Sequence, residues 1–328
     1  MFKILSPNGM ISSEQRMGFE KNKFKHMKKK LILIFNILFY SVLSAQDALP
    51  LWTEGKMPNS KGLTLEHIEE RERITQVSEP KILAYFPPKE EQNGSSIIIL
   101  PSGGYHHLTY NLGGIQLAKW FNTQGITAFV LIYRLPTSPD LIVSENGPIQ
   151  DTQRAIKIIR SKADTWHLDI NKIGVFGASA GGHLASTIAT HDTDLSKIGD
   201  AIDKYSFTPN FMVLISPVIS FGEFAHKGSF ENFLGNHATP ENILKYSNEF
   251  HVTAKTPPTI LFHAQNDTTV NPMNSILFYE QMLKNNITGS LHIFPNGKHN
   301  IGIYNESSLT DEWKTICTKW LKEIKITK

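Results

Sequence analysis

The residues of this chain that could do chemistry centre on Ser179, which lies in the sequence Gly-Ala-Ser-Ala-Gly over residues 177–181. A Gly-x-Ser-x-Gly turn between a strand and a helix exposes its serine hydroxyl for nucleophilic attack. The flanks fit this arrangement, because residues 172–176 are apolar and β-prone and residues 183–189 favour a helix. The alternative is an ordinary glycine-rich turn with a bystander serine, and the flanking pattern favours the nucleophile.

A serine hydroxyl is a weak nucleophile, so it needs a nearby base that is itself oriented by a third group. Functional groups gather at the carboxyl ends of the strands in a parallel sheet. Asp267 follows a predicted strand at 259–263, and His299 follows another at 290–294. The chain order Ser179, Asp267, His299 is one that Ser–His–Asp triads use. We therefore predict His299 as the base and Asp267 as the acid that orients it.

Other side chains compete for these roles. Asp267 is followed by polar residues and could simply form a turn, and a single loop histidine often has no chemical role. His183 starts the helix after the elbow and is expected to point into packing, whereas His106 and His107 follow a different strand. Asp151 begins a predicted helix and is interpreted as its N-cap, which leaves it as the weaker alternative acid.

A glycine pair near the first buried strand could bind a developing anion. Residues 101–106 read Pro-Ser-Gly-Gly-Tyr-His, and the paired glycines allow the backbone N–H groups to turn toward the site. Together with the N–H of Ala180 they predict an oxyanion hole from Gly103 and Gly104. The alternative is a plain tight turn. Candidate substrate contacts lie in the same loop: Tyr105, His106 and His107.

The elements that must position these residues alternate along the chain. Strands are predicted at 96–100, 127–133, 172–176, 211–219, 259–263 and 290–294, with antiparallel edge strands at 74–77 and 81–86. Helices are predicted at 114–124, 151–166, 183–189, 240–246, 271–284 and 308–324. This alternation predicts an α/β fold, a mostly parallel sheet with helices on both faces. Residues 221–258 break the rhythm and are interpreted as a small lid insertion.

Composition limits the classes of function. The chain has 328 residues, 40% hydrophobic and 19% charged, which is ordinary for a globular protein and fits one catalytic domain over residues 47–328. The net charge of +3 comes largely from the amino-terminal segment, so we expect no nucleic-acid partner. No Cys/His spacing indicates a metal site, and we expect no metal or organic cofactor. Cys317 is expected to be a small core residue.

The amino-terminal residues predict export. Six lysines between residues 21 and 30 precede an apolar run at 31–43 and small residues at 44–45. This pattern predicts a signal peptide within residues 1–46, cut near Ala45 or Gln46, and a secreted or periplasmic protein with no membrane contact after cleavage. The run is short for a membrane span, and an uncleaved anchor is the alternative. Residues 1–26 are interpreted as an upstream extension, because Met27 followed by three lysines is a more usual start.

Several motifs together resemble one family. They are Pro-Ser-Gly-Gly-Tyr at 101–105, Tyr-Arg-Leu-Pro at 133–136, Asp-Thr-Gln-Arg-Ala at 151–155, Gly-Ala-Ser-Ala-Gly-Gly-His-Leu-Ala at 177–185, and His-Lys-Gly-Ser at 226–229 with Asn-Phe-Leu-Gly at 232–235. Over about residues 51–324 they resemble the exported bacterial α/β-hydrolase esterases grouped with acetyl xylan and feruloyl esterases. The likeness extends distantly to the hormone-sensitive-lipase group.

The resemblance implies an α/β-hydrolase fold, the Ser179–Asp267–His299 triad, and an oxyanion hole from the backbone of Gly103, Gly104 and Ala180. It also implies short acyl groups on plant or algal polysaccharides as substrates. The lipase-type group has His-Gly-Gly-Gly at the oxyanion loop, whereas Pro-Ser replaces the first two residues here. Which N–H points inward is therefore left open.

The sequence supports the hypothesis of a serine carboxylic-ester hydrolase that removes short acyl groups, foremost acetyl, from small-molecule or oligosaccharide esters through an acyl-serine intermediate. Two alternatives stay open. A serine peptidase or amidase of the same fold, such as a formamidase, would differ in its relative rates on an acetate ester and a peptide amide. A binding protein without catalysis would not be labelled at the serine by a fluorophosphonate.

Overall fold

Within the residues that the computed structural model describes (48–299, 301 and 309–327), the chain folds around an eight-stranded sheet, with a separate two-stranded sheet beside it. The strands are β1 (Ala48–Pro50), β2 (Ile68–Glu70), β3 (Arg73–Gln76), β4 (Lys81–Tyr85), β5 (Ser96–Leu100), β6 (Thr127–Ile132), β7 (Ile173–Ala178), β8 (Phe211–Ile215), β9 (Thr259–Ala264) and β10 (Gly289–Phe294). The predicted signal peptide, residues 1–46, lies outside the described residues.

The helices lie between these strands and after the last one. They are α1 (Gln116–Asn122), α2 (Asn146–Ser161), α3 (Ala163–Trp166), α4 (Ser179–Thr190), α5 (Lys227–Leu234), α6 (Pro240–Lys245), α7 (Met273–Lys284) and α8 (Trp313–Glu323). A π-helical turn at Asn111–Ile115 leads into α1. Short 3₁₀ turns lie at Ala201–Lys204, Gly235–His237, Asn248–His251 and Leu309–Glu312.

The main sheet is mostly parallel, as the alternating sequence pattern predicts. Its strand order is β1-β4-β6-β5-β7-β8-β9-β10, and every neighbouring pair from β6 to β10 is parallel. All five residues of β5 are buried, as expected for a strand that is covered on both faces. Trp313 of α8 packs against Phe176 of β7 and Phe262 of β9, so this helix seals one part of the core.

The prediction for the two antiparallel edge strands was partly wrong. β4 is antiparallel to β6, but β1 pairs with its other side, so β4 is not the edge. β3 pairs with β2 in the separate hairpin and bridges to Leu108 through two backbone hydrogen bonds with Ile74. Alternation within a strand shows which face is buried but does not identify the partner strand. The hairpin consequently supports the loop that follows β5.

The helix predicted at 151–166 has different limits. α2 begins at Asn146 and ends at Ser161, and α3 follows separately. Pro148 is tolerated because it lies in the first turn, where the helix requires no N–H donor. Asp151 therefore lies inside the helix and fully buried, so its interpretation as an N-cap was wrong. The helix after the elbow likewise begins early, at Ser179 itself.

Residues 221–258, the lid insertion of the sequence prediction, contain α5, α6 and two short 3₁₀ turns. Buried asparagines pin both ends of this insertion. Asn274 of α7 accepts hydrogen bonds from the N–H groups of Ile219 and Ser220, and Asn248 donates to the carbonyl of His183 and to Ser186. These buried amide hydrogen bonds replace the regular pairing that an irregular segment lacks.

Cys317 lies in α8 with no exposed surface, as predicted for a small core residue, and burial raises the pKa of its thiol.

Of the helices in the described part of the chain, none is long and apolar enough to cross a bilayer.

Candidate active site

The turn between β7 and α4 holds Ser179 in a backbone conformation that L-residues rarely adopt, with φ of +52°. Two glycines make this turn possible. A Cβ on Gly177 would overlap the carbonyl oxygen of Gly181, and a Cβ on Gly181 would overlap the carbonyl oxygen of Leu100. Strained residues of this kind persist where the surrounding packing fixes them, and they cluster at functional sites. The turn thus has the geometry of the predicted nucleophile elbow.

Ser179, His299 and Asp267 form one hydrogen-bonded line. His299 Nε2 lies 2.9 Å from Ser179 Oγ, and His299 Nδ1 lies 2.7 Å from Asp267 Oδ2. Nδ1–H donates to the carboxylate, because an ionised carboxylate only accepts. Nε2 is then the acceptor for the serine hydroxyl, which is the arrangement that a general base requires. The structure therefore brings the three predicted residues together from three separate loops.

The carboxylate of Asp267 is fixed by further donors. Its Oδ1 accepts the backbone N–H groups of Thr269 and Val270, both at 2.9 Å. Burial by itself would raise the pKa of Asp267, but the hydrogen bonds from His263, His299 and the Val270 N–H outweigh burial and hold this pKa well below its ordinary value. Asp267 is consequently ionised whenever His299 could act as a base.

His263, which the sequence reasoning did not select, belongs to this network. Its Nε2 lies 3.0 Å from the carbonyl oxygen of Val270 and 3.3 Å from Asp267 Oδ2, and its Nδ1 lies 2.8 Å from Ser275 Oγ. A carbonyl only accepts, so Nε2 carries the proton and Nδ1 accepts from the serine. A histidine within the otherwise apolar strand β9 was the available signal for this role.

The loop after β5 supplies unpaired backbone donors. Gly103 has φ of +143° and Gly104 has φ of +62°, and a Cβ on Gly103 would overlap the carbonyl oxygen of His107. Among the described residues, none accepts a hydrogen bond from the N–H groups of Gly103, Gly104 or Ala180. Ala180 also lies in the first turn of α4, where the helix dipole favours an anion. Their role as oxyanion donors stays a prediction.

Tyr105 does not contact substrate, and that prediction was wrong. Its side chain has no exposed surface, its hydroxyl lies 2.9 Å from His183 Nδ1, and its ring packs on Phe233 at 4.8 Å between centroids. The left-handed backbone at this position, φ of +60°, turns the side chain into the interior. His106 is exposed and His107 is half-buried with its ring against that of His106, and both remain predicted contacts.

The alternative base and acid have other partners. His183 is fully buried and donates from Nε2 to the carbonyl oxygen of Tyr246, and burial lowers its pKa to about 3. Asp151 is fully buried too, 2.8 Å from Arg134 Nη2, and it accepts the indole N–H of Trp52 at 2.8 Å. His183 is therefore a packing residue, as predicted, and Asp151 is a structural ion-pair partner.

A polar cavity of about 340 Å³ is linked to the oxyanion loop through one side chain, and none of residues 101–106 lines it. Asn232 of α5 connects the two, because it lines the cavity and its amide also donates to the carbonyl oxygen of Gly104 at 2.8 Å. Hydroxyl, amide and apolar side chains form most of the remaining wall, together with one carboxylate and one imidazole: Pro136, Thr137, Ser138, Leu141, Ile142, Ser144, Glu231, Gly235, Asn236 and His237. Within the ranges that the structure describes, no three His, Cys, Asp or Glu side chains could hold a metal ion.

Comparison with known proteins adds the family. The BD-FAE family model matches residues 83–282. The chain belongs to the BD-FAE family. An acetylxylan esterase from Xylanibacter ruminicola is 35% identical over 249 residues, which are 74% of this chain and 48% of that protein. An endo-1,4-beta-xylanase B from Butyrivibrio fibrisolvens is 27% identical over 285 residues, 82% of this chain and 44% of that protein.

A solved structure has the same fold as this chain, and the match covers nearly the whole length of that structure. The acetyl ester-xyloside bifunctional hydrolase from Caldicellulosiruptor lactoaceticus has a TM-score of 0.75 and 33% identity, covering 88% of this chain and 99% of that one. The predicted α/β-hydrolase fold is confirmed, and so is the predicted resemblance to the esterases grouped with acetyl xylan and feruloyl esterases. The chain spans about half the length of the two curated relatives it matches.

Proposed function

We propose that this BD-FAE protein is a serine esterase that removes short acyl groups, foremost acetyl, from oligosaccharide or polysaccharide esters. The observation that carries the proposal is the hydrogen-bonded line from Asp267 through His299 to the strained Ser179, at 2.7 and 2.9 Å. Unpaired N–H groups beside the serine support it further, since an ester carbonyl becomes an oxyanion when attacked.

The reaction follows from these positions. His299 Nε2 accepts the proton of Ser179 as its oxygen bonds to the ester carbonyl carbon, and the N–H groups of Gly103, Gly104 and Ala180 stabilise the oxyanion. When the intermediate collapses, the carbon–alkoxide bond breaks and the alcohol leaves with the proton from His299. Water then attacks the acyl-serine with His299 again as the base, and the carboxylic acid and the free serine are released. Asp267 stabilises the imidazolium throughout.

The saccharide part of the proposal rests on two supports. The relatives include an acetylxylan esterase and an acetyl ester-xyloside hydrolase. The cavity that Asn232 links to the oxyanion loop carries hydroxyl and amide groups in its wall, which suit an alcohol with many hydroxyls.

The decisive test combines labelling with rates. The purified protein should be labelled by a fluorophosphonate at Ser179 and should release acetate from nitrophenyl acetate and from acetylated xylo-oligosaccharides. Ser179→Ala should lose both labelling and hydrolysis, by about 10⁴- to 10⁶-fold in kcat, and keep its thermal unfolding temperature. Hydrolysis near the wild-type rate in Ser179→Ala would overturn the proposal.

The same assay separates the two other interpretations. Faster hydrolysis of a formamide or a peptide amide than of acetate esters would assign the chain to the amidases. Failure of Ser179 to react with a fluorophosphonate, in a protein that is folded, would favour a binding protein without catalysis.

We also propose export from the cytoplasm, on the basis of the lysine-rich and apolar segments within residues 1–46. Expression of the full chain in a bacterial host should give a processed protein whose first residue lies near Gln46 by amino-terminal sequencing. An intact amino terminus in the membrane fraction would identify an uncleaved anchor instead.

A further inference from the structure

His226 lies at the start of α5, and its ring is held in one orientation. Its Nδ1 accepts the backbone N–H of Ser229 at 3.2 Å and lies 2.8 Å from the Ser229 hydroxyl oxygen, so the side chain caps the helix. A ring nitrogen that accepts a hydrogen bond from a backbone N–H carries no proton. The proton of the neutral imidazole is therefore on Nε2.

The charge state of His226 follows from its surroundings. Burial lowers the pKa of His226, and the nearby His299 lowers it further against the opposing effect of Asp267. At neutral pH the ring is uncharged, and it presents one donor, Nε2–H.

The imidazole ring that carries this donor borders the oxyanion loop. The Cε1 atom of His226 lies 3.9 Å from the point where a Cβ on Gly104 would be, and the amide of Asn232 ties α5 to the carbonyl of Gly104. Across residues 48–299, 301 and 309–327, no protein atom accepts a hydrogen bond from Nε2. A half-buried donor without a partner beside unpaired backbone N–H groups is placed to bind an oxygen of a ligand.

We propose that His226 Nε2–H donates a hydrogen bond to the carbonyl oxygen of the bound ester, beside the backbone donors of Gly103, Gly104 and Ala180. This inference rests on the proposed esterase function and adds a side-chain donor from the insertion to it. The bond strengthens as the carbonyl oxygen gains negative charge, so His226 acts mainly on kcat and less on KM.

The test separates the two nitrogens of the ring. In His226→Asn, the amide oxygen replaces Nδ1 as the cap of α5, but the donor at the Nε2 position is removed. In His226→Gln, the amide nitrogen reaches the Nε2 position, but the cap is lost. His251→Asn makes the same change elsewhere in the insertion and serves as the matched control. There Nε2 hydrogen-bonds to the carbonyl of Leu244 and the ring packs against that of His191.

We expect His226→Asn to keep the wild-type unfolding temperature and to lose about 100-fold in kcat, the lower end of what the loss of one oxyanion donor costs. His226→Gln should recover part of that kcat although it unfolds at a lower temperature, and His251→Asn should match the wild type. If kcat instead follows the unfolding temperature across the three variants, His226 is only a helix cap and the proposal is wrong.

Comparing two substrates shows whether His226 binds the carbonyl oxygen of the ester or the oxygen of the leaving alcohol. The loss in His226→Asn should be equal for nitrophenyl acetate and for an acetylated xylo-oligosaccharide, because both have the same acetyl carbonyl. A loss confined to the sugar ester would place His226 at the leaving alcohol and overturn the assignment to the carbonyl. Wild-type hydrolysis and labelling of Ser179 are measured first. If they are absent, the esterase function fails together with this inference, whereas an active wild type with an equally active His226→Asn refutes only the role of His226.

Discussion

Two buried aspartates of this chain have different neighbours, and we assign them different roles on that ground. Asp151 faces the guanidinium of Arg134 at 2.8 Å in an interior position, where each charge compensates the other. Asp267 is also buried, but its partners are backbone N–H groups and two histidines, one of which contacts the serine. Burial alone therefore does not distinguish a structural carboxylate from a catalytic one.

Replacing each aspartate by asparagine should separate stability from activity. Asp151→Asn leaves the charge of Arg134 buried without a counterion and should lower the free energy of unfolding by about 3–5 kcal/mol. Its kcat per folded molecule should stay at the wild-type value. Asp267→Asn should lower kcat by roughly 10⁴-fold, because His299 loses the acceptor that fixes its tautomer. Denaturant unfolding measures the first effect and acetate release measures the second. A large loss of kcat in Asp151→Asn would contradict this assignment and favour Asp151 as the acid of the triad.

The lowered pKa of Asp267 predicts how stability changes with pH. The pKa in the folded state is below the ordinary value of about 3.9. The carboxylate thus stabilises the fold above about pH 4, and this contribution is lost as the pH falls through the lower folded pKa. The difference in unfolding free energy between the wild type and Asp267→Asn should shrink when the pH is lowered from 6 to 3. A difference that grows on acidification would contradict the assigned direction.

Among the elements, the loop after β5 depends most strictly on its glycines. The hairpin β2–β3 supports it from one side through Leu108, and α5 supports it from the other through Asn232. Between these supports Gly103 approaches the carbonyl of His107 so closely that no side chain fits. The direction of the loop's N–H groups, the proposed oxyanion donors, is consequently set by the packing of the whole loop and by no single side chain.

Gly103→Ala should therefore reduce stability and activity together. The new Cβ overlaps the carbonyl oxygen of His107, so the loop must move, and the N–H donors move with it. Gly199→Ala is the matched control, because Gly199 has φ of +80° and no atom lies within 4 Å of the point where its Cβ would be. The control should lose only about 1–2 kcal/mol and keep kcat. Equal effects of the two variants on kcat would show that overlap at Gly103 is unimportant.

Some of the strands and helices could be predicted from sequence patterns, and others could not. The six strands of the parallel region were predictable, because a run such as residues 97–100 has no polar residue to place on an outer face. The start of α2 was not predictable, because Asn146, Gly147 and Pro148 have the composition of a loop. They can be helical because the first turn of a helix needs no backbone N–H donors. The partners of β3 and β4 were not predictable either, because pairing is decided between distant segments.

For the molecule as a whole, the site is assembled from segments that lie far apart in the chain. Ser179, Asp267 and His299 could be predicted because each follows a strand, and the sheet alone brings them to one edge. His226 lies in the insertion, which has no periodic pattern, so its place beside Gly104 depends on three-dimensional packing. The cavity linked to the oxyanion loop is likewise formed by two segments, the loop after β6 and the end of α5.

This cavity predicts a difference between small and saccharide substrates. Asn236 is exposed in its wall, and its amide could bind sugar hydroxyls. Asn236→Ala should raise KM for acetylated xylo-oligosaccharides severalfold more than KM for nitrophenyl acetate, since one lost hydrogen bond is worth about 0.5–1.5 kcal/mol. Steady-state kinetics with both substrates measure this. Proportional changes for the two substrates would remove the cavity from substrate recognition.

The aromatic rings beneath the insertion have a consequence for the speed of turnover. Phe221, Phe233 and Tyr246 are buried against Tyr105 and His183, and exposing each of the phenylalanines would cost about 1.5–3 kcal/mol. These contacts anchor the insertion to the core, and we do not expect it to move as a lid. Substrate should therefore bind without a preceding opening of the insertion. Progress curves should show no lag before the first turnover, whether the ester is dissolved in water or presented at an interface.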